Sequence, residues 1–143
     1  MRSLSTAFLA LSLIFVVSCA PSLKQNEINP WLTTISGDRP PEIDITGRWR
    51  DKRGVGLFTW GQGHLQQEQN KISGVIGDHD VVGTVSGRTV YLVFLYNNKV
   101  YYTVRLEMVN GSLTGNSFSP SDKDQKNKGE SVTFVKVVDP KMK

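Results

Sequence analysis

The chain has a single cysteine, Cys19, among its 143 residues. A disulfide needs two, so no intrachain bridge can form and stability must come from packing. There are only two histidines, His64 and His79. A histidine-based metal site would need further ligands, and no metal site is expected. Charged residues make up 21% of the chain, and the net charge is +4, with Lys and Arg scattered among Asp and Glu. That mild field lacks the clustered basic face of a nucleic-acid binder. There is no Gly-x-Ser-x-Gly nucleophile turn, and nothing singles out a pair of carboxylates. The expectation is a non-enzymatic protein with no cofactor. Long apolar runs are missing except near the N-terminus. Residues 7–17 are apolar apart from Ser12, which is too short for a stable bilayer span, and no second run follows.

What is present begins with that run. Arg2, the apolar stretch and Val16-Val17-Ser18-Cys19 together read as a secretory signal over 1–18. The last four residues resemble the lipobox of bacterial lipoproteins, an aliphatic pair and a small residue before an obligatory cysteine. The resemblance implies cleavage before Cys19 and a thioether-linked diacylglycerol, often with a further acyl chain such as palmitate on the new amino group. Each buried methylene adds about 0.8 kcal/mol, so two or more chains anchor a protein stably. Ala20 follows the cysteine where inner-membrane lipoproteins tend to carry Asp. The resemblance therefore implies the cell envelope, at the periplasmic face of the outer membrane, with the membrane as partner through Cys19.

Residues 19–44 show little periodicity and contain Pro21, Pro30, Pro40 and Pro41. They read as a lipidated N-terminus and flexible tether, extended at Pro40-Pro41. Asn29-Pro30-Trp31-Leu32 resembles a helix cap followed by a first-turn proline. A short turn carrying Trp31, Leu32 and Ile35 could dock on the domain and close one end of it.

From Ile45 the pattern changes to short strands separated by turns, giving a domain over 45–143. Tyr102, Val104, Leu106 and Met108 share one face of a strand, with Tyr101, Thr103, Arg105 and Glu107 opposite. Val90, Leu92, Phe94 and Tyr96 form another apolar face, but Tyr91, Val93 and Leu95 behind them are apolar too. That strand is expected to be covered on both sides, by the core and by a partner or the tether. Asn97-Asn98-Lys99, Asn110-Gly111 and Asn70-Lys71 supply hairpin turns. Strands are expected near 46–51, 55–60, 64–69, 71–76, 81–86, 89–96, 100–109, 112–118 and 131–138. Ile72-Ser73-Gly74, Val85-Ser86-Gly87 and Leu113-Thr114-Gly115 share one pattern, and glycine within a strand marks sharp coiling. The fold class is all-β, an antiparallel up-and-down meander barrel of eight or nine strands. At that size the interior is either filled or holds one small ligand.

Gly47-Arg48-Trp49 in the first strand resembles the Gly-x-Trp start of lipocalin-like and avidin-like barrels, where the tryptophan packs across the barrel floor. The resemblance implies that architecture and a core role for Trp49. The final strand offers Lys136 where an arginine is expected, and all three tryptophans lie before Gly61, so no later aromatic ligand wall is implied.

The candidate ligand residues are Trp49, Trp60, Gln67 and Gln69. Gln67 and Gln69 belong to the unusually polar 64–69 strand, which would give a hydrogen-bonding cavity if one face pointed inward, and Trp49 and Trp60 are the tryptophans whose fluorescence would respond to a ligand there. A solvent-facing or edge strand accounts for the same residues. Asp78-His79-Asp80 reads as a polar hairpin loop and 121–129 as a long solvated loop, since its lysines repel a cation. The functional expectation is a lipid-anchored envelope lipoprotein that binds a small ligand or an envelope component through its barrel. The alternative is a structural or assembly lipoprotein packing on a protein partner, with Tyr91, Val93 and Leu95 as its apolar patch.

Overall fold

The computed structural model describes Ile28, Leu32 and residues 39–122 and 125–138. The signal segment, Cys19, Trp31 and Ile35 lie outside the described residues. Eight strands follow one another: β1 (Gly47–Asp51), β2 (Gln62–Glu68), β3 (Lys71–Ile76), β4 (His79–Ser86), β5 (Thr89–Tyr96), β6 (Lys99–Val109), β7 (Ser112–Phe118) and β8 (Glu130–Lys136). Each pairs antiparallel with its chain neighbours, and β8 closes on β1 through Trp49–Lys136 and Asp51–Phe134. Closure leaves no unpaired edge. The architecture is the up-and-down barrel expected, and it is compatible with a lipocalin-like or avidin-like barrel.

Tight turns set the register. Asn110 and Gly111 have φ of 49° and 78°, and Asn97 and Asn98 have 49° and 58°. Positive φ at both central positions is the two-residue hairpin turn whose twist matches the strands. The β2–β3 turn sits at Gln69-Asn70, one residue earlier than expected, with Gln69 at φ 55°. Strand glycines let the sheet bend. A Cβ on Gly74 would collide with the His64 carbonyl, and one on Gly115 with the Arg105 carbonyl. Two members of the repeated motif therefore mark points of close strand approach, while the third, Gly87, is a turn residue at φ 60°.

The expected strand at 55–60 does not form. Residues 52–61 are a long loop between β1 and β2. All eight strands already have both partners, so a ninth would have no edge to join. Gly54 at φ 97° and Phe58 at φ 68° also break extended geometry.

The interior is filled. Trp49, Leu65, Ile76, Leu92, Phe94, Leu106, Leu113 and Phe134 are all fully buried in one apolar cluster. The lower end, where β1 begins and β8 ends, is closed by Ile45 and Trp49. The Trp49 Nε1–H donates to the Ile45 carbonyl at 2.8 Å. The Lys136 ammonium lies 5.6 Å from the centroid of the Trp49 ring. The upper end, where β1 ends, is stopped by Trp60, whose ring centroid is 4.5 Å from Phe94 and 5.2 Å from Tyr102.

A second apolar cluster lies on the outer wall. Ile28 and Leu32, both helical, are buried there with Tyr91 and Val93, and Val82, Leu95 and Val100 pack around them. Residues four apart share one helix face, so one stripe of the N-terminal segment covers the outer side of β4–β6. This is the two-sided burial expected of β5, with the covering residues supplied by the chain itself. Pro41 bridges to Gly87 at the lower end, where Glu42 N–H donates to the Gly87 carbonyl at 2.8 Å. The domain's packing thus extends upstream of Ile45.

Candidate functional site

The four residues expected to hold a ligand do not line one space. Trp49 is sealed in the floor. Gln67 is a clamp: its Oε1 accepts the Ile45 N–H at 3.0 Å, and its Nε2 donates to the carbonyls of Ile43 and Gln69. Trp49 and Gln67 thereby grip both polar groups of one peptide segment and fix the chain that plugs the lower end. Gln69 is exposed in a turn and contributes its carbonyl. Trp60 stands at the opposite end. In β2, His64, Gln66 and Glu68 face solvent while Leu65 faces the core. The polarity of this strand belongs to its wet face and to the Gln67 clamp. An open recess of about 320 Å³ lies over β1 and β2, lined by Arg48, Trp49, Gln62, Gly63, His64 and Val137.

The upper end gathers the aromatic side chains. His79 begins β4 and stacks on Tyr101, with centroids 5.1 Å apart and planes at 27°. It also meets Trp60, Phe94 and Tyr96 at 5.5–5.8 Å. Its Nδ1 is buried without a hydrogen-bond partner. Tyr96 and Tyr101 are half exposed. The rim therefore presents ring faces and phenol groups to solvent above a plug of Trp60, Phe94 and Tyr102. His79 joins the rim by ring stacking, because strand alternation sends it and Asp80 to opposite sides. Sequence patterning placed Tyr101 and Tyr102 on a strand but could not bring them beside His79 and Trp60, which are remote in the chain.

The loop between β1 and β2 rises from this end on a built base. The Asp51 side chain is only 1% exposed. Its carboxylate accepts the backbone N–H of Arg53 at 2.9 Å, the Arg53 guanidinium at 2.7 Å and the backbone N–H of Trp60 at 3.0 Å. Burial alone would push this carboxyl up. The Arg53 guanidinium and the two backbone donors outweigh it and hold the carboxyl below its usual range. The backbone closes the same gap, since Asp51 N–H donates to the Gly61 carbonyl at 2.8 Å. Higher up, the Gly56 N–H donates to Thr59 Oγ1 and the Thr59 hydroxyl donates to the Gly56 carbonyl. Between those staples stand Leu57 and Phe58, 87% and 93% exposed, with Val55 at 73%. A bulky residue such as Phe58 in the left-handed region costs about 1–3 kcal/mol, so the surrounding bonds must over-determine it. The aromatic plug and the apolar tip thus meet at Trp60.

In the last long loop residues 126–129 are exposed, and the Asp122 carboxylate accepts the Asn127 N–H at 3.2 Å. Among the described residues no group of three His, Cys, Asp or Glu side chains converges as a metal site would require. Comparison of the chain with models of protein families, with curated proteins and with solved structures returned no match.

Proposed function

We propose that this is a lipid-anchored envelope lipoprotein whose barrel is a non-enzymatic binding module working from its outside and upper rim. The observation that carries this reading is the filled interior. With Trp49, Phe94 and Phe134 packed at its centre and Trp60 across one end, an enclosed ligand would have to displace core side chains at a cost of several kcal/mol. Contacts are then left to the rim of Trp60, His79, Tyr96 and Tyr101. Aromatic faces beside phenol hydroxyls suit a small amphipathic ligand or an exposed group of an envelope component. The anchor rests on the Val16-Val17-Ser18-Cys19 lipobox.

The alternative of an assembly lipoprotein seated on a protein partner also fits a filled barrel. The patch it called for, Tyr91 with Val93 and Leu95, is occupied by Ile28 and Leu32, which favours the rim as the working surface. Metabolic labelling with a fatty-acid analogue tests the anchor. The native chain should take up label and fractionate with membranes, and Cys19→Ala should do neither. Equal membrane retention by Cys19→Ala would refute the anchor. Trp60 tests the rim, since a ligand bound there alters its emission, while one that perturbs only Trp49 has entered the floor and contradicts the reading.

A further inference from the structure

Leu57 and Phe58, the two most exposed large apolar side chains described, sit with exposed Val55 on one loop that the rim reading leaves unused. Solvent exposure of three such groups on a stapled, strained loop has no folding benefit, since none contributes to either apolar cluster. The tip is also held out by design of its base. Asp51 ties Arg53 to Trp60, and Thr59 ties back to Gly56, so the side chains are presented without a further ordering cost.

We propose that this loop is a membrane-contacting finger whose residues 55–58 enter the headgroup–acyl boundary of the bilayer that carries the anchor. The proposal rests on the anchored reading for its geometry. Only eight residues, 20–27, separate Cys19 from Ile28, and Ile28 is already fixed to the barrel wall. Fully extended, that link spans about 30 Å, roughly the length of one barrel strand of nine residues. The wall patch reaches Leu95 and Val100, which lie beside the Asn97-Asn98 turn at the upper end. A link this short holds the finger-bearing end within reach of the lipid surface.

Chemistry favours lipid over a protein partner. A stable protein interface needs about 800 Å² on each side with matched shape, and a protruding tip of three side chains offers neither. A bilayer requires no shape match. Half-exposed Tyr96 and Tyr101 at the same end are amphipathic rings suited to the interfacial belt. The upper end carries both signs, such as Lys52, Lys99 and Lys126 against Asp78, Asp80 and Asp122, so apolar insertion is the driving term and should be insensitive to salt.

The test places a polarity-sensitive fluorophore at Val55→Cys in the acylated protein, whose own Cys19 thiol is blocked by lipid. The protein is incorporated into vesicles of phosphatidylethanolamine and phosphatidylglycerol. The probe should shift to the blue and be quenched by brominated acyl chains, and adding Leu57→Asp and Phe58→Asp should abolish both effects. A probe that stays water-like while the acylated protein remains on the vesicles overturns the finger and leaves the anchor standing. Protection that arises only when envelope proteins are added overturns it as well. Mass spectrometry showing a free Cys19 thiol would instead remove the anchor. The chain 20–143, which keeps every residue of both apolar clusters, then decides the finger alone. Its vesicle partition should fall about tenfold or more with the two Asp substitutions, and an unchanged partition refutes the proposal.

Discussion

Replacing Asp51 by Asn removes one charge and almost no volume, and the structure gives the size of the effect. The carboxylate is 1% exposed and accepts from two backbone N–H groups and one guanidinium. An amide keeps one acceptor oxygen and turns a donor towards the remaining N–H. One buried backbone donor is then left unpaired, at about 1–3 kcal/mol, and the surviving bond loses its charge assistance. The Arg53 half of the pair adds little, because its side chain is 54% exposed and returns to water. The expected loss is about 2–3 kcal/mol. At about 4 °C per kcal/mol for a domain of this size, Tm falls by about 8–12 °C. Because the folded-state carboxyl lies below its usual value, its contribution is complete above the ordinary Asp pKa of about 4 and is lost as pH falls through the lower folded value. The gap in Tm between the two proteins should be constant from about pH 5 to pH 8 and shrink below about pH 4. Calorimetry across pH, with amide exchange at Arg53 and Trp60, checks both parts. Equal Tm at neutral pH, with both amides as protected as in the parent, would refute the clamp.

Two further substitutions probe the wall and the sheet. Ile28→Ala with Leu32→Ala should release the N-terminal segment from Tyr91 and Val93 while the barrel stays folded; each side chain buries about 1.5–3 kcal/mol of apolar contact. Apolar dye binding and protease cleavage ahead of Pro40 should both rise, and unchanged values would show that the cover is not held by these two residues. Gly115→Ala drives a Cβ into the Arg105 carbonyl and should cost about 1–3 kcal/mol, read by urea denaturation. A gain in stability would mean that β6 and β7 can separate freely there.

Local patterning made most of the barrel legible. Alternation in β6, the Asn-Gly and Asn-Asn turns and the glycine spacing each act over a few residues, and turn chemistry and strand period are local properties. They failed at 55–60, where β-branched and aromatic residues mimic a strand. Whether such a segment pairs depends on a free sheet edge, and closure of β8 on β1 removed every edge. The Gln67 clamp was out of reach for a related reason. Gln67 reads as a cavity donor in sequence, but its partners are backbone groups 22 and 24 residues away.

The sequence by itself determined the all-β class, the order of the hairpins and the double burial of β5, since each follows from residue type and period along the chain; the core role of Trp49 was implied by the Gly-x-Trp resemblance. Only the tertiary structure decided that the barrel is full, that Ile28 and Leu32 cover its outer wall, that Trp60 meets His79 at the rim and that Leu57 and Phe58 are left in solvent. Those outcomes depend on which distant side chains compete for the same volume. A one-dimensional pattern carries no information about volume until the strands have closed around it.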